Sequence, residues 1–502
     1  MKKLTLLSLI TCIAFLSYSQ DFTPENLGAN VNSADGDNGP VISPDGKTLY
    51  FWSTRGGATS FYSELDSTGN WSAAKPLEEP FKSKSAKVCA ITPDGNKLLV
   101  YYKSNGRATY AFSNKIKNGW GELEVLTIEG YPEKTEDNYF MKASLSNDGN
   151  RIVMVISDPL NPKSKYKTDL FTTFLQKNNT WSKPVHLGNR VNKMESEIAP
   201  FLSSDNKTLF FSRHTEESDQ NFDIYKTIRL DSTWTNWSDP EKLGTNINDE
   251  RWNADYTIPA SGNYAYMASS KKPLAGTYTD IIRIKLRDEE KPHPVVLISG
   301  KVINSKTSMP IEAKITYENL ENGMIIGAAS TNPETGKYKV ILPYGVNYGV
   351  TAFATNYLSV SDNINLVADT KGTYLELTKN LMMIPIEIGE TIRINNLFFE
   401  TAKSEIKTES YSELDRLVSF LINNPKINIQ INGHTDNDGS ADLNKKLSEA
   451  RAKAVKAYLI SKQVTETRII AMGFGASKPV DVNTNELGKQ KNRRVEFVIL
   501  SK

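Results

Sequence analysis

One short turn recurs five times in the first half of this chain, and a recurring turn restricts the fold to stacked or radial copies of one unit. It reads VISPDGKTLYF at Val41 to Phe51, AITPDGNKLLV at Ala90 to Val100, ASLSNDGNRIVMV at Ala143 to Val155, PFLSSDNKTLFF at Pro200 to Phe211 and TIPASGNYAYM at Thr257 to Met267. Asp45, Asp94, Asp148, Asp205 and Ser261 mark steps of 49, 54, 57 and 56 residues, a period that suits one propeller blade each. In every copy Gly or Asn joins two apolar, β-branched runs and tolerates the positive φ that such hairpins require. A third strand follows, as in FDIYKTI at Phe222 to Ile228 and TDIIRIKL at Thr279 to Leu286. Trp71, Trp120, Trp181 and Trp237 each open a connector toward the next copy. The repeated Asp is expected to bond its own backbone rather than calcium.

The ends of the copies also repeat. NLGANVN at Asn26 to Asn32 resembles HLGNRVN at His186 to Asn192 and KLGTNIN at Lys242 to Asn248, and the fifth copy lacks such a segment. The N-terminal piece is therefore expected to complete the last blade and close a five-bladed ring, which hides exposed sheet edges. A sixth, irregular blade within Glu122 to Tyr139 is the alternative. The SPDG and ITPDG turns resemble those of the PD40 or TolB-like β-propeller family over roughly half the chain, residues 20–288. That resemblance implies a ring that displays a surface to partners.

Residues 1–19 read as a secretory signal peptide: Lys2 and Lys3, an apolar run from Leu4 to Leu16, then Ser17, Tyr18 and Ser19. The run is short for a bilayer span, and no later stretch approaches one. Leu9, Ile10 and Thr11 before Cys12 fit a lipidation site poorly, because Thr stands where a small Gly or Ala belongs. The mature chain would keep Cys89 alone, so no internal disulfide is available. Sixty Lys and Arg against 58 Asp and Glu argue against polyanion binding by bulk charge, and nucleic acid is not an expected partner. His186, His214, His293 and His434 show no ligand spacing, so neither a metal nor another cofactor is expected.

Charge and two prolines in residues 289–294 suggest a linker. Residues 295–384 then read as short strands between turns, a small β-sandwich. The order of GKV, TSMPIEAKI, TGKY and LPYGVNYGVTA is similar to carboxypeptidase-regulatory-like or Cna-B-type domains, which implies a spacer or interaction module.

Residues 385–502 change period. Ile392 and Ile394 suggest a first strand, and Ser410 with Glu413 forms a capping-box pattern ahead of a helix carrying Tyr411, Leu414, Leu417, Val418 and Leu421, which Pro425 ends. Ile427, Ile429 and Ile431 alternate as in a half-buried strand that delivers Thr435 and Asp436 to its exposed tip, and Asp438 and Gly439 supply a turn. In the helix expected over Ser440 to Lys462, Leu443, Leu447, Ala450, Ala454 and Ala457 form a stripe expected to face the core. Asn444, Ser448 and Arg451 form a polar edge beside it. Short strands follow at Arg468 to Met472 and Arg494 to Leu500, making an α/β sandwich. A fixed Asp436 carboxylate and Arg451 guanidinium suit a ligand with an ammonium and a carboxylate on one carbon. The same two residues could equally form an internal salt bridge.

Five ordered blocks here resemble the OmpA C-terminal, peptidoglycan-associated domain: LFFETAKSEI at Leu397 to Ile406, GHTD, NKKLSEARAKAV at Asn444 to Val455, GFGASKP at Gly473 to Pro479 and NRRVEF at Asn492 to Phe497. The resemblance implies that Asp436 and Arg451 hold the diaminopimelate of peptidoglycan. It implies secondary contacts from Asn444 and Thr435 and from Phe399, Thr401 and Lys403 of the preceding loop, and a mainly structural role for Arg493 and Arg494. The whole reads as a multidomain, exported, non-catalytic envelope protein, periplasmic and associated with the outer membrane and the wall, that recruits envelope or outer-membrane proteins through its propeller. The rival is a propeller with a hydrolytic, glycosidase or peptidase site, against which stand the absence of GxSxG and the turn positions of the repeated acids.

Overall fold

The computed structural model describes residues 22–502 apart from 58, 106, 133–141, 158–167, 215–220, 251, 271–278, 359, 368–371 and 401. The signal-peptide segment, Cys12 and Thr401 lie outside the described residues, as does part of the stretch considered for a sixth blade.

Each recurring turn joins the first two strands of an antiparallel sheet. Sheet one runs through Asp37–Ile42, Thr48–Ser53, Thr59–Glu64 and Lys75–Pro76. Sheet two follows with Lys87–Ile91, Lys97–Ser104, Arg107–Ile116 and Glu124–Val125, so the described start of the Glu122 to Tyr139 stretch is the outer strand of this sheet. Sheet three begins at Ala143–Leu145 and sheet four at Glu197–Leu202. Sheet five holds Asn253–Thr257, Tyr264–Ser269 and Asp280–Lys285, and its outer strand is Glu25–Asn26 from the other end of the chain. First strands of successive sheets lie against one another, and that of sheet five lies against that of sheet one. The order is cyclic.

The turn chemistry is uniform. The residue after each marker takes positive φ: Gly46 at 71°, Gly95 at 75°, Gly149 at 71°, Asn206 at 55° and Gly262 at 65°. Asp45, Asp94, Asp148 and Asp205 each accept from a backbone N–H two residues on and from the Ser or Thr hydroxyl two residues back, as in an Asx-turn. The NLGANVN-type segments place an equivalent buried asparagine. Asn192 exchanges two bonds with the Leu170 backbone, Asn248 with Ile224, and Asn32 with Ile281, 249 residues away. The connector tryptophans pair back onto the third strands, Trp71 with Leu65, Trp120 with Lys115, Trp181 with Leu175 and Trp237 with Arg229.

Residues 289–294 are not a loose tether: Lys226 Nζ donates to the Glu289 carbonyl at 2.8 Å, and Asp205 Oδ2 accepts from His293 N at 3.1 Å. Beyond them, Val295–Asn304 pairs antiparallel with Lys337–Pro343 and parallel with Leu375–Thr378 and Leu381–Met383. A second sheet, Ile325–Ser330, Lys314–Asn319, Asn347–Phe353 and Val360–Asn365, packs on it through Ile298, Ile315, Tyr338 and Val350.

The C-terminal sheet has the order Thr391–Arg393, Val495–Ser501, Asn428–Gly433, Ile469–Gly473. Helices α1 (Tyr411–Asn423) and α2 (Ala441–Ser461) share a core with it around Leu414, Ile429, Val455 and Phe497. Two local expectations fail. No capping box starts α1, because the Ser410 hydroxyl bonds Phe398 instead and Glu413 pairs with Arg416. In α2 the buried face is Asn444, Ser448, Ala452, Val455 and Leu459, while Leu443 is 65% exposed. The cause is close approach. A Cβ on Gly433 would meet the Ser448 carbonyl oxygen at 2.0 Å, and one on Gly473 would meet Glu449 N at 2.3 Å, so α2 lies too near these strands to bury a leucine there.

Candidate peptidoglycan-binding site

The strand Asn428–Gly433 stops where α2 crosses it, and the chain turns beneath the helix N-terminus. Thr435 and Asp436 are consequently 4% and 7% exposed, buried rather than set at an open tip. Thr435 N donates to the Gly475 carbonyl at 3.0 Å. Asn444 Nδ2 donates to the Asp438 carbonyl at 2.9 Å and to the Asp436 carbonyl at 3.3 Å, so Asn444 holds the loop in shape. Asp438 N donates to Asp436 Oδ1 at 3.1 Å, which fixes the carboxylate plane. Gly439, at φ 90°, completes the turn into Ser440, whose hydroxyl caps α2 by accepting from Leu443 N.

Arg451 lies two turns along α2 from Asn444. Its Nε donates to the Lys403 carbonyl at 3.1 Å, and its guanidinium carbon stands 4.9 Å from the centre of the Phe399 ring. Phe399 and Lys403 thus brace the arginine through a ring face and a backbone oxygen. Among the described residues no protein group bonds the two terminal nitrogens of Arg451. Burial lowers the Arg451 pKa, the Asp436 charge opposes that shift, and the Arg493 charge adds to it. The three groups therefore share one electrostatic site.

Asp436 and Arg451 do not form a salt bridge with each other. Asp436 Oδ2 instead accepts from Arg493 at 2.7 Å, and Arg493 also binds Glu486 at 2.5 Å. These two bonds, Glu486 first, raise the Arg493 pKa. Arg493, expected to be mainly structural, bonds Asp436 and Glu486 while its side chain is 38% exposed on the rim of the site. Arg494 does fit that expectation, being 7% exposed and bonded to Glu496 and to the Lys478 carbonyl. Helix α3 (Glu486–Asn492), which carries Glu486 and leads into Arg493, was not anticipated; the signal available was Asn485, whose side chain caps it at Gly488 N. The arrangement offers one carboxylate and two guanidiniums on one rim, able to take an ammonium and a carboxylate side by side.

The C-terminal domain alternates strands and helices in the order β-α-β-α-β-α-β around this acid-arginine rim. A protein-family model described as OmpA family matches residues 398–493, so the C-terminal domain is OmpA-like. Outer membrane porin F of Pseudomonas fluorescens is 38% identical over 110 residues, 22% of this chain and 34% of that protein. Peptidoglycan-binding protein ArfA of Mycobacterium bovis is 40% identical over 89 residues, 18% of this chain and 27% of that protein. The chain thus spans about a third of the length of such relatives. Among solved structures, the peptidoglycan-associated lipoprotein from Burkholderia pseudomallei is 27% identical and covers 20% of this chain and 87% of that one, with a TM-score of 0.20. Among the described residues no helix is long and apolar enough to cross a membrane.

Proposed function

We propose that this chain is an exported, non-catalytic envelope protein that grips diaminopimelate-type peptidoglycan through Asp436 and Arg451 and recruits envelope partners through a five-bladed propeller built from sheets one to five. It would thereby link the outer membrane, or a machine of the envelope, to the wall. The observation that carries the reading is the rim itself. Arg451 presents two terminal nitrogens beside a fixed carboxylate, within a domain that matches the OmpA family. A relative over this stretch is named a peptidoglycan-binding protein.

In this reading the ligand carboxylate pairs with the open edge of Arg451 and the ammonium takes Asp436 Oδ2, with Arg493 withdrawing toward Glu486. Domain limits follow the sequence units: the ring over residues 20–288, the β-sandwich over 295–384 and the wall-binding domain over 385–502, after a signal peptide at 1–19. Thr435 and Asn444 shape the loop, Phe399 and Lys403 form the wall behind Arg451, and Thr401 stays a proposed secondary contact from the sequence alone. Co-sedimentation of the full-length protein with purified sacculi tests this. Diaminopimelate-type sacculi should retain it, and lysine-type sacculi, which lack the carboxylate beside the ammonium, should retain it more weakly. Equal retention by both would remove Arg451 from the recognition.

A further inference from the structure

The recurring turns meet the β-sandwich. Asp94 Oδ2 accepts from Ser330 N at 2.8 Å, Asn96 Nδ2 donates to the Ser330 carbonyl at 2.7 Å, and Asp45 pairs with Lys339. Ala260 packs with Val295, Leu297 and Ile341. Beside these contacts lies a groove of about 520 Å³, walled by sheets one and two and by the start of the sandwich strand Lys337–Pro343. Small-molecule sites gather at such junctions between domains, and the volume lies in their usual range.

We propose that this groove binds an amino sugar, a protonated amine carried on a hydroxylated ring. Strand register builds one wall. Tyr50 lies opposite Tyr62 and Thr48 opposite Glu64, so these four side chains share one face of sheet one, and all four line the groove. The ring centres of Tyr50 and Tyr62 are 6.3 Å apart. Tyr50 is only 6% exposed, yet among the described residues no group bonds its hydroxyl. Burial first, then Glu64, Tyr62 and Asp45, raise its pKa, so the hydroxyl stays protonated and stands at the acidic end of the groove. A buried hydroxyl without a partner is costly, and a ligand hydroxyl or amine that reaches it removes that cost.

The charges of the described wall supply a separate observation. Asp45 is taken up by Lys339, and Asp94 accepts from the Thr92 hydroxyl, Asn96 N and Ser330 N. Lys115 Nζ lies over the Trp120 ring, 4.8 Å from its centre. Glu64 and Glu78 keep carboxylates that no described group bonds, opposed by the one ammonium of Lys337. The surplus is negative and favours a cation. A bare amine would use that charge alone. Thr48, Tyr50 and Tyr62 add hydroxyls that both donate and accept, which suits a sugar, and the two rings add apolar surface for its C–H groups.

The test is calorimetric titration of the full-length protein with the β-1,4-linked glucosamine disaccharide, its N-acetylated counterpart and cadaverine, at a pH that keeps the amines protonated. The amino disaccharide should bind about tenfold more tightly than the acetylated one, which has lost the charge, and than cadaverine, which has no hydroxyls. Tyr50→Phe removes only the hydroxyl and should weaken the amino disaccharide several-fold. Glu64→Gln should erase most of the preference for amine over acetamide. Asp436→Ala should leave all three affinities unchanged, which separates the groove from the wall-binding rim. Equal binding of amine and acetamide, tighter binding of cadaverine, or no saturable binding would overturn the proposal. So would unchanged affinities in both Tyr50→Phe and Glu64→Gln, or loss of binding in Asp436→Ala.

Discussion

Asp436 is held by more groups than a lone surface acid would be. Its Oδ1 is fixed by Asp438 N and its Oδ2 by Arg493, so an incoming ammonium competes with a guanidinium. Asp436→Ala and Arg451→Ala should each weaken retention on diaminopimelate-type sacculi by about ten- to a hundredfold, the range of a lost charge-assisted contact. Arg493→Gln should keep or strengthen it, because the competitor is gone while Asp438 N still orients the carboxylate. Sedimentation isotherms of the three variants check this, and Arg493→Gln binding as poorly as Asp436→Ala would make Arg493 a ligand contact. A second residue-scale expectation concerns acid. Burial raises the Glu496 carboxyl, but bonds from His434 and Arg494 outweigh burial and hold it below its ordinary value. A depressed carboxylate contributes stability that is present above its unfolded pKa and lost as pH falls through the folded one. Melting of the wild type should therefore drop more steeply on acidification below about pH 4.5 than melting of Glu496→Gln.

At the scale of elements, two devices set geometry that apolar periodicity does not reveal. Helix α2 lies on bare glycine backbone, and Gly433→Ala would drive a methyl into the Ser448 carbonyl. It should destabilise the protein by about 1–3 kcal/mol or more and loosen the Asp436 loop that follows, read by melting and by sacculus binding together. The buried asparagines Asn32, Asn192 and Asn248 act as single-residue strands that satisfy both backbone groups of a third-strand residue. Replacing Asn192 by Ala should cost about 1–3 kcal/mol, because it leaves the Leu170 N–H without its partner in the interior and takes one of two donors from the Leu170 carbonyl, which keeps Leu187 N. Asn32→Ala should cost a similar amount and also release the N-terminal segment to protease, whereas Asn192→Ala should not. The leucines of α2 misled the sequence reading for a related reason. Leu443 and Leu447 promise an apolar face, but what selects the buried face is the separation between helix and strand, which belongs to Gly433 and Gly473 on other elements.

For the whole molecule, Glu25–Asn26 pairs with Asp280–Lys285 and Asn32 with Ile281, so the N-terminal segment and the fifth sheet stabilise each other. Removing residues 21–33 exposes the edge of sheet five and both groups of Ile281. Residues 34–288 should then self-associate or express poorly, while residues 21–288 stay monomeric, by size-exclusion chromatography and thermal melting. Equal behaviour of the two would dismiss the closure as a source of stability. The sequence by itself determined what is local or periodic: five turns with Gly or Asn at the positive-φ position, the strands they join, the Ile429 and Ile431 alternation, and Asp436 and Arg451 as candidates. Those features depend on neighbouring residues, where steric limits and side-chain hydrogen bonds act within a few positions. Only the tertiary structure decided that Asp436 pairs with Arg493, that α2 buries its polar edge, that the recurring turns meet the β-sandwich, and that the first-strand bulges of sheets one, four and five line one cavity. Each of these is a contact between residues far apart in the chain, and its geometry is set by how closely two elements approach, a distance that no single segment encodes.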